Sequence, residues 1–263
     1  MDLLSVLKGL SGRKILVIGD LILDRFIWGR VERISPEAPV PVVEVTGDTS
    51  ALGGAANVAN NIASLGGRPI VLGVVGRDRA AENMEGLFDE KDIDFFAIED
   101  SRPTTVKTRV IAHNQQVVRF DQEEKGKISG KALKSLLGSI AEMVPECDAV
   151  VVSDYEKGVV SSDVMKALLR ASKGKKFIAL DPKVGHFHLY KKVSVITPNL
   201  MEASHGSGIE IKDEHTLLKA GNRLLKKLGC EAVLITRGKD GMSLFGKDGA
   251  SHIPTFARKV FDV

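Results

Sequence analysis

Small residues cluster in the segment Gly53-Gly54-Ala55-Ala56-Asn57, which opens a predicted helix. Glycines let a ligand approach the backbone closely, and the N-terminus of a helix presents free N–H groups to oxygen-rich ligands. The same residues also suit a tight turn with close helix packing, and the motif alone does not decide between the two. The segment has neither the G-x-G-x-x-G spacing of a dinucleotide site nor the G-K-[ST] of a Walker loop.

Acidic residues follow two predicted strands. Asp20 and Asp24 come after the first strand, while Asp154 and Lys157 follow a later one in Ser153-Asp154-Tyr155-Glu156-Lys157-Gly158. Carboxylates at the carboxyl end of a strand can hold sugar hydroxyls by charge-assisted hydrogen bonds. A helix cap or a surface acid is the simpler interpretation of either aspartate alone, and a solvated loop remains the alternative for the later segment.

A possible magnesium site lies in Thr197-Pro198-Asn199-Leu200-Met201-Glu202, which follows another strand and starts a helical turn. Asn199 and Glu202 are three residues apart and share one face of that turn, which suits a hydrated Mg²⁺ ion. The same spacing is typical of a capping box, with Asn199 as N-cap and Glu202 at the third helical position. On the residues alone, the cap is the favoured interpretation.

A glycine-rich loop with two basic residues, Thr236-Arg237-Gly238-Lys239-Asp240-Gly241, follows the last apolar strand. Such a loop suits a phosphate group. The alternative is a simple β-turn that leads into residues 242–245. Both interpretations require a turn at this position.

Other residue types and the composition argue against several classes of protein. The six histidines lack metal-ligand spacing, Cys147 and Cys230 are too few for a disulfide framework or a cysteine-based zinc cluster, and no serine lies in a nucleophile elbow. A net charge of +3 with interleaved signs, together with ten Phe, two Tyr and one Trp, gives no nucleic-acid surface. The sequence shows no apolar run of membrane-spanning length and no signal peptide, so we expect a cytoplasmic protein without a membrane partner.

The elements that must position these motifs alternate between strands and helices. Strands are predicted at 14–20, 69–75, 94–98, 148–153, 176–180, 193–196 and 232–236, and helices at 55–65, 79–90, 130–143, 161–172 and 213–228. Continuous apolar strands separated by helices indicate a parallel sheet covered on both faces. Such a sheet places its sites at the carboxyl ends of its strands.

Two stretches break this rhythm. Residues 39–46 and 105–121 alternate apolar and polar positions, which is typical of half-solvated antiparallel strands, and Asn114-Gln115 is a plausible turn within the second. We expect a small separate sheet, built from segments of approximately 26–48 and 104–121, that acts as a lid or as a dimer interface. Residues 122–129 are predicted to form a solvated loop.

The order of the motifs is more informative than any one of them. Along the chain they read Gly19-Asp20-x3-Asp24, Gly53-Gly54-x2-Asn57, Asn199-x2-Glu202 and Thr236-Arg237-Gly238. This order resembles the ribokinase-like (PfkB) sugar kinase family over essentially the whole chain. The string Arg33-Ile34-Ser35-Pro36-Glu37-Ala38-Pro39-Val40-Pro41-Val42, together with residues 53–59 and 154–158, is similar to the heptose 7-phosphate kinase branch of that family.

The resemblance implies an α/β ribokinase-like fold with a β lid, in a single kinase domain spanning 1–263 that commonly forms a homodimer through the lid. It implies transfer of the γ-phosphoryl group of ATP to O1 of D-glycero-β-D-manno-heptose 7-phosphate, giving a precursor of lipopolysaccharide core heptose. The residues implied for the sugar phosphate are Asp20, Asp24, Gly53, Gly54, Asn57, Asp154 and Lys157, with Lys157 toward a phosphate group. Those implied for the nucleotide are Asn199, Leu200, Met201, Glu202, Thr236, Arg237 and Gly238, with Asn199 and Glu202 toward Mg²⁺.

The family's second signature, a Gly-Ala-Gly-Asp run, is not in the sequence. In the family its aspartate is the general base for the attacking hydroxyl, and its glycine N–H groups form an anion hole. The resemblance places this run directly after a segment like 259–263, so we expect the catalytic aspartate and part of the adenine pocket beyond Val263. The nucleotidyltransferase half that is fused to some relatives is not in the sequence either. No catalytic base is therefore assigned within the sequence.

Three other functions remain open at this stage. A related kinase could act on another substrate, such as a fructose phosphate or a nucleoside. A non-catalytic protein could bind the sugar phosphate without turnover. An NAD-binding Rossmann protein is a weak alternative, because the glycine fingerprint is absent.

Overall fold

The computed structural model describes residues 3–255, so the expectations for 259–263 and the run after it lie outside the described residues. The strands are β1 (Lys14–Gly19), β2 (Leu21–Ile34), β3 (Pro41–Gly54), β4 (Arg68–Val75), β5 (Asp94–Glu99), β6 (Val106–Ala112), β7 (Gln115–Gln122), β8 (Ala149–Ser153), β9 (Phe177–Asp181), β10 (Val195–Ile196), β11 (Ala232–Thr236), β12 (Met242–Gly246) and β13 (Gly249–Ile253). The α-helices are α1 (Leu3–Leu10), α2 (Ala55–Ser64), α3 (Arg79–Asp89), α4 (Gly130–Met143), α5 (Ser162–Ser172), α6 (Leu200–Ser207) and α7 (Glu214–Leu228).

Nine strands form the first sheet, in the order β13-β12-β11-β10-β9-β8-β1-β4-β5. The strands from β11 to β5 are parallel, and β12 and β13 are added antiparallel at one edge. Strand β1 lies inside the sheet, and its side chains alternate between two cores. Leu16 and Ile18 belong to one core, while Ile15 and Val17 belong to the other. Helices cover both faces, which confirms the predicted parallel α/β architecture.

Four strands form a smaller second sheet, in the order β3-β2-β6-β7. The β2–β3 and β6–β7 pairs are antiparallel, as predicted, but β2 and β6 at the centre are parallel. Both of these strands leave the carboxyl edge of the first sheet in the same direction, β2 after β1 and β6 after β5, and they therefore run side by side. The hairpin turn lies at His113 and Asn114, with φ angles of 51° and 61°, one residue earlier than predicted.

The segment 122–129 is mostly exposed, as expected, but it is anchored to the body of the protein. Ile128 is buried in a hydrophobic core, and the carbonyl of Gly126 accepts a hydrogen bond from Arg102 Nη1 at 2.9 Å. The same guanidinium nitrogen donates to the carbonyl of Lys157 at 2.9 Å. The segment is therefore tied to the loop after β8, which a purely solvated loop would not be.

Over residues 3–255, the helices are all too short or too polar to cross a bilayer.

Candidate functional site

Three acidic residues lie side by side at the carboxyl edge of the first sheet. Asp20 follows β1, Asp154 follows β8, and Asp181 ends β9. The three strands are neighbours in parallel register, with Gly19 opposite Ser153 and Ser153 opposite Asp181. Sequence analysis singled out the first two acids and missed Asp181, because nothing in its local sequence marks it.

Asp20 is a buried side chain that shapes a loop. Its side chain is buried, and its carboxylate accepts hydrogen bonds from the backbone N–H groups of Tyr155 at 2.7 Å, Lys157 at 3.1 Å and Val159 at 3.0 Å. Three internal donors therefore occupy its oxygens, and the predicted contact between Asp20 and the sugar stays a prediction. Asp20 instead holds the loop 154–159 in place.

Asp154 has a similar internal role. Its carboxylate is buried, accepts hydrogen bonds from the Tyr190 hydroxyl at 2.6 Å and the Glu156 N–H at 2.8 Å, and lies 2.7 Å from His186 Nδ1. The predicted contact between Asp154 and a substrate stays a prediction. Asp154 ties the loop after β8 to the loop after β9.

A cleft of about 340 Å³ opens beyond these buried acids. The side chains that matter for its chemistry are those of Tyr155, Asp181, Lys183, Asn199, Glu202 and Thr236. Three of these belong to the predicted nucleotide side. They come from the ends of β10 and β11, which an isolated parallel bridge joins between Asn199 and Thr236. The cleft is therefore built at the strand ends, where a parallel sheet places its ligands.

Asn199 and Glu202 form the capping box that the sequence allowed. The Asn199 side-chain oxygen accepts from the Glu202 N–H at 2.9 Å, and a Glu202 carboxylate oxygen accepts from the Asn199 N–H at 3.0 Å. Both side chains also line the cleft. The cap and the ligand site are thus compatible, since the cap uses one carboxylate oxygen and leaves the other free.

Asp181 and Glu202 make the cleft electronegative. Burial and, next in size, the charge of Glu202 raise the pKa of Asp181 to about 6. Two carboxylates that repel each other, with Lys183 as a nearby cation, are stabilised when a cation binds between them. Hard oxygen donors suit Mg²⁺, which commonly takes one or two carboxylates together with water and substrate phosphates. Within residues 3–255, no cluster supplies three or more His, Cys, Asp or Glu ligands for a metal ion.

The raised pKa of Asp181 makes a prediction about stability. The folded-state pKa of about 6 exceeds the ordinary value of 3.8, so the contribution of Asp181 to the free energy of unfolding is most favourable below pH 4 and is lost as pH rises through 6. Asp181→Asn removes this cost. We expect it to raise the free energy of unfolding at pH 7.5 by about 1–2 kcal/mol after solvent screening, or about 2–6 °C in Tm.

Thermal melts of the variant and the parent, without metal or nucleotide, test this prediction. The difference in Tm should be near zero at pH 4 and should reach its plateau above pH 7. A variant that melts below the parent at pH 7.5 would show that Asp181 makes a net stabilising contact.

Of the remaining residues predicted to bind the nucleotide, some line the cleft and others do not. Leu200 packs against the hydrophobic core and Met201 is 59% exposed, and neither lines the cleft, so their contacts with the nucleotide stay a prediction. Thr236 lines it. Gly238 lies in an exposed turn with φ 59°.

The Arg237 side chain turns away from the cleft. Its guanidinium donates to Ser243 Oγ at 3.2 Å and lies 3.4 Å from a Glu214 carboxylate oxygen. The same glutamate contacts His252 Nε2 at 2.9 Å. Arg237 therefore adds positive potential beside the predicted phosphate loop without lining the cleft itself.

The predicted sugar loop packs against β2. Gly54 has φ 57° and caps α2, and a Cβ there would collide with the carbonyl oxygen of Asp20, which accepts from the Ala55 N–H at 3.0 Å. A Cβ on Gly53 would overlap the Asp24 carboxylate. Only glycines allow this close approach. Asn57, two residues into α2, is exposed to solvent.

Asp24 is partly exposed and carries a partner that sequence analysis missed. Its carboxylate contacts Arg109 Nη1 at 2.5 Å, across the parallel β2–β6 pair. Lys157, predicted to meet a substrate phosphate, instead lies 2.7 Å from Glu123 in this structure. Neither pair could be predicted from local sequence, because the two members of each pair are 85 and 34 residues apart along the chain and meet only in the folded protein.

Tyr155 connects the two sides of the site. Burial raises the pKa of its hydroxyl, and the charges of Asp181, Asp24 and Glu202 add to the effect. All three carboxylates therefore lie within electrostatic reach of one phenol ring, with Lys183 Nζ 5.8 Å from its centre. Tyr155 lines the cleft, and Asp24 on the second sheet acts on its hydroxyl electrostatically, so the second sheet comes close to the cleft at this residue.

Comparison with known proteins gives consistent results. The sequence profile described as "pfkB family carbohydrate kinase" matches residues 13–263. The "Bifunctional protein HldE" of Desulfatibacillum aliphaticivorans is 43% identical over 257 residues, which cover 96% of this chain and 53% of the relative. The protein of the same name from Geobacter metallireducens is 44% identical over 252 residues, covering 94% and 51%. The chain spans about half the length of these curated relatives.

Solved structures share the architecture. Phosphofructokinase-2 from Escherichia coli in complex with substrates and products matches with a TM-score of 0.73 and 17% identity, covering 95% of this chain and 81% of that chain. The tetrameric inhibited form of the same enzyme also gives a TM-score of 0.73, at 18% identity, with coverage of 95% and 81%. At these identities the likeness shows the fold alone, and it confirms the predicted ribokinase-like architecture.

Proposed function

Since this chain belongs to the pfkB family of carbohydrate kinases, we propose that it transfers the γ-phosphoryl group of ATP to a hydroxyl of a sugar phosphate. The observation that carries the proposal is the cleft that Tyr155, Asp181 and Glu202 line at the strand ends. The Asp24 carboxylate of the second sheet lies within electrostatic reach of the same Tyr155. The proposed acceptor is O1 of D-glycero-β-D-manno-heptose 7-phosphate. The RISPEAPVPV string and relatives that are 43–44% identical support this choice.

On the sugar side, we assign hydroxyl binding to Asp24, Asn57 and the backbone of Gly53 and Gly54. Asp24 is partly exposed, and its carboxylate can accept hydrogen bonds from two adjacent hydroxyls. Gly54 precedes the first turn of α2, whose free N–H groups suit oxygen ligands. Asp20 and Asp154 act as positioning residues, because they fix the loops that surround this space.

On the nucleotide side, Asp181, Glu202 and Asn199 would hold Mg²⁺, and Thr236 and the backbone of Gly238 would face the phosphates of ATP. Bound Mg²⁺ would neutralise charge on the transferred phosphoryl group. The protein's own contribution is mainly to position the two substrates and to exclude water. We assign no general base within residues 3–255.

We also propose how two copies of the protein assemble and what the reaction product is used for. The second sheet would cover the sugar as a lid, and exposed apolar side chains on its other face, among them Val118 and Phe120, would pack against a second copy. The product would be the 1,7-bisphosphate, a precursor of lipopolysaccharide heptose. These assignments rest on the resemblance together with the exposed apolar surface.

The test is ADP formation by the full-length protein with ATP, Mg²⁺ and heptose 7-phosphate. We expect sugar-dependent ADP release, and we expect Asp24→Asn to raise the KM for the sugar at least about tenfold while leaving the KM for ATP unchanged. Asp94→Asn is the matched control, because Asp94 lies on β5, an edge strand of the first sheet, and pairs only with exposed Arg68. Turnover of fructose 6-phosphate or a nucleoside in preference to the heptose would contradict the proposed acceptor. Stabilisation by heptose 7-phosphate without ADP release would contradict catalysis.

A further inference from the structure

A lysine lies at the acidic cleft between the ends of β9, β10 and β11. Among the described residues that line this cleft, Lys183 is the only cation, and it follows β9 by two residues. The carboxylates of Asp181 and Glu202 line the same cleft. The cleft therefore combines groups that suit a metal ion with one group that suits an anion.

The ammonium group of Lys183 is available to a ligand. Within residues 3–255 it contacts no carboxylate, and the contact that the structure gives it is with the ring of Tyr155, whose centre lies 5.8 Å from Nζ. Lys157 in the neighbouring loop is by contrast paired with Glu123 at 2.7 Å. A cation held only over an aromatic face can move to a stronger acceptor, and a phosphate oxygen is one.

The backbone of Lys183 is fixed although its side chain is not. Its N–H group donates to the Tyr190 hydroxyl at 3.0 Å, and its carbonyl accepts from the N–H of His186 at 3.1 Å. Tyr190 is fully buried and donates its own proton to Asp154 at 2.6 Å. Only the flexible stem of Lys183 has to be ordered when a ligand binds, which keeps the entropic cost of binding low.

Glu156 holds the same loop, residues 182–188, from the other side. Its carboxylate accepts a hydrogen bond from the Gly185 N–H at 2.7 Å, and a Cβ on Gly185 would overlap that carboxylate. Glu156 itself has a φ angle of 56°, which residues other than glycine adopt rarely and mainly where surrounding contacts impose it. Glu156 is therefore a positioning residue for the loop that carries Lys183.

Lys183 lies between the two sides of the site. Burial and the charge of Glu202 raise the pKa of Asp181, and the positive charge of Lys183 opposes them, so Lys183 lies near the proposed metal site. The Tyr155 ring beneath its ammonium group is the one that Asp24 of the second sheet reaches electrostatically. In a transfer from ATP to a sugar, the γ-phosphate is the part of the nucleotide that meets the acceptor. A cation in this position therefore suits the γ-phosphate better than the α- or β-phosphate.

We propose that Lys183 binds the γ-phosphate of ATP, with its ammonium group moving from the Tyr155 ring to the terminal oxygens. The inference rests on the proposed function for the identity of the nucleotide. In the transfer, the sugar oxygen bonds to the γ-phosphorus while the bond to the bridging oxygen breaks and its electron pair leaves with ADP. The hydroxyl proton goes to the aspartate base that the family resemblance implies. Lys183 exchanges no proton, and its charge stabilises the terminal oxygens.

Isothermal titration calorimetry of the full-length protein with Mg²⁺ and without sugar tests the inference. The probes are ADP and the non-hydrolysable ATP analogue AMP-PNP, which differ by the terminal phosphate. Lys183→Met should weaken binding of AMP-PNP at least about tenfold and leave binding of ADP within about twofold, because hydrogen bonds between ionised groups are the strong ones. Lys183→Arg keeps the charge and should weaken AMP-PNP less.

Two further variants separate this role from a structural one. Lys176→Met is the matched control, because Lys176 is a half-buried lysine at the other end of β9 that donates to the carbonyls of Pro145 at 2.6 Å and Cys147 at 2.7 Å. It should lower the Tm and leave both affinities unchanged, whereas Lys183→Met should leave the Tm unchanged. Glu156→Ala should weaken AMP-PNP about threefold, and Glu156→Gln, which keeps an acceptor for Gly185, should restore it.

The outcomes for Lys183 and for the kinase proposal are distinct. Equal losses of affinity for AMP-PNP and ADP in Lys183→Met, or no loss of either, would overturn the inference, even in a protein that forms ADP from ATP and the sugar. A selective loss of AMP-PNP in a protein that forms no ADP would uphold the contact between Lys183 and the γ-phosphate and refute the kinase proposal.

Discussion

Replacing Glu202 by glutamine is expected to lower kcat by about 10²–10³-fold while α6 stays folded. Glutamine can still accept the Asn199 N–H, so the capping box survives in Glu202→Gln. The substitution removes only the negative charge that faces Asp181 across the cleft. If Glu202 holds the metal that neutralises the transferred phosphoryl group, this charge is what catalysis needs.

Comparison with Glu202→Ala separates the two roles of this residue. Glu202→Ala removes both the charge and the cap, so its Tm should fall below that of the parent, whereas the Tm of Glu202→Gln should stay close to it. The measurements are steady-state kinetics over a series of Mg²⁺ concentrations and thermal melts of the three proteins. A Glu202→Gln variant with parental kcat at every Mg²⁺ concentration would show that Glu202 serves only as a cap.

Asp20→Asn is expected to be the most destabilising conservative change at this edge of the sheet. An amide has one acceptor oxygen and would turn its NH₂ group toward a cluster of three backbone N–H donors. Leaving buried donors without an acceptor costs about 2–4 kcal/mol of the free energy of unfolding. The loop 154–159 loses hydrogen bonds that hold it in place. Binding of the sugar should therefore weaken more than binding of ATP.

Asp24→Asn is the natural counterpart to this variant, because Asp24 lies on the same strand path but is partly exposed. Urea denaturation should show a large loss of stability for Asp20→Asn and a small one for Asp24→Asn. Calorimetry should show that both variants bind the sugar less tightly. Asp20→Asn with parental stability would mean that the three N–H groups find other acceptors, and the assignment of Asp20 as a positioning residue would be wrong.

The sequence predicts the first sheet well because its signals are local. Each element is predicted from its own residues. The apolar run predicts β1, the helical periodicity predicts α7, and the spacing of Asn199 and Glu202 predicts the start of α6. The segment 26–48 is assigned to the small sheet from the sequence, but β2 is not recognised as a separate strand, because residues 21–34 mix apolar, charged and glycine positions with no clean alternation. Its pairing with β6 depends on where two distant strands leave the first sheet.

The sequence predicts where the candidate site lies, but it does not predict the contacts that each of its residues makes. Residue type and strand position drew attention to Asp20, Asp24 and Asp154 alike, yet burial separates the exposed one from the two that bind backbone and neighbouring side chains. The pKa of Asp181 is raised in part by the charge of Glu202, which lies 21 residues later in the chain. The ion-pair partner of Arg109 is Asp24, which lies 85 residues earlier. Burial and long-range proximity are tertiary properties that no short motif contains.

The central position of β1 has a consequence for synthesis on the ribosome. Its neighbour β8 lies more than 130 residues later, and the last of the three donors to Asp20, Val159, lies 139 residues after it. At about 5–20 residues per second, roughly 7–28 s separate the emergence of Asp20 from that of Val159. During this interval one apolar edge of β1 has no partner strand. We therefore expect the nascent chain to need protection against aggregation until residue 159 has emerged.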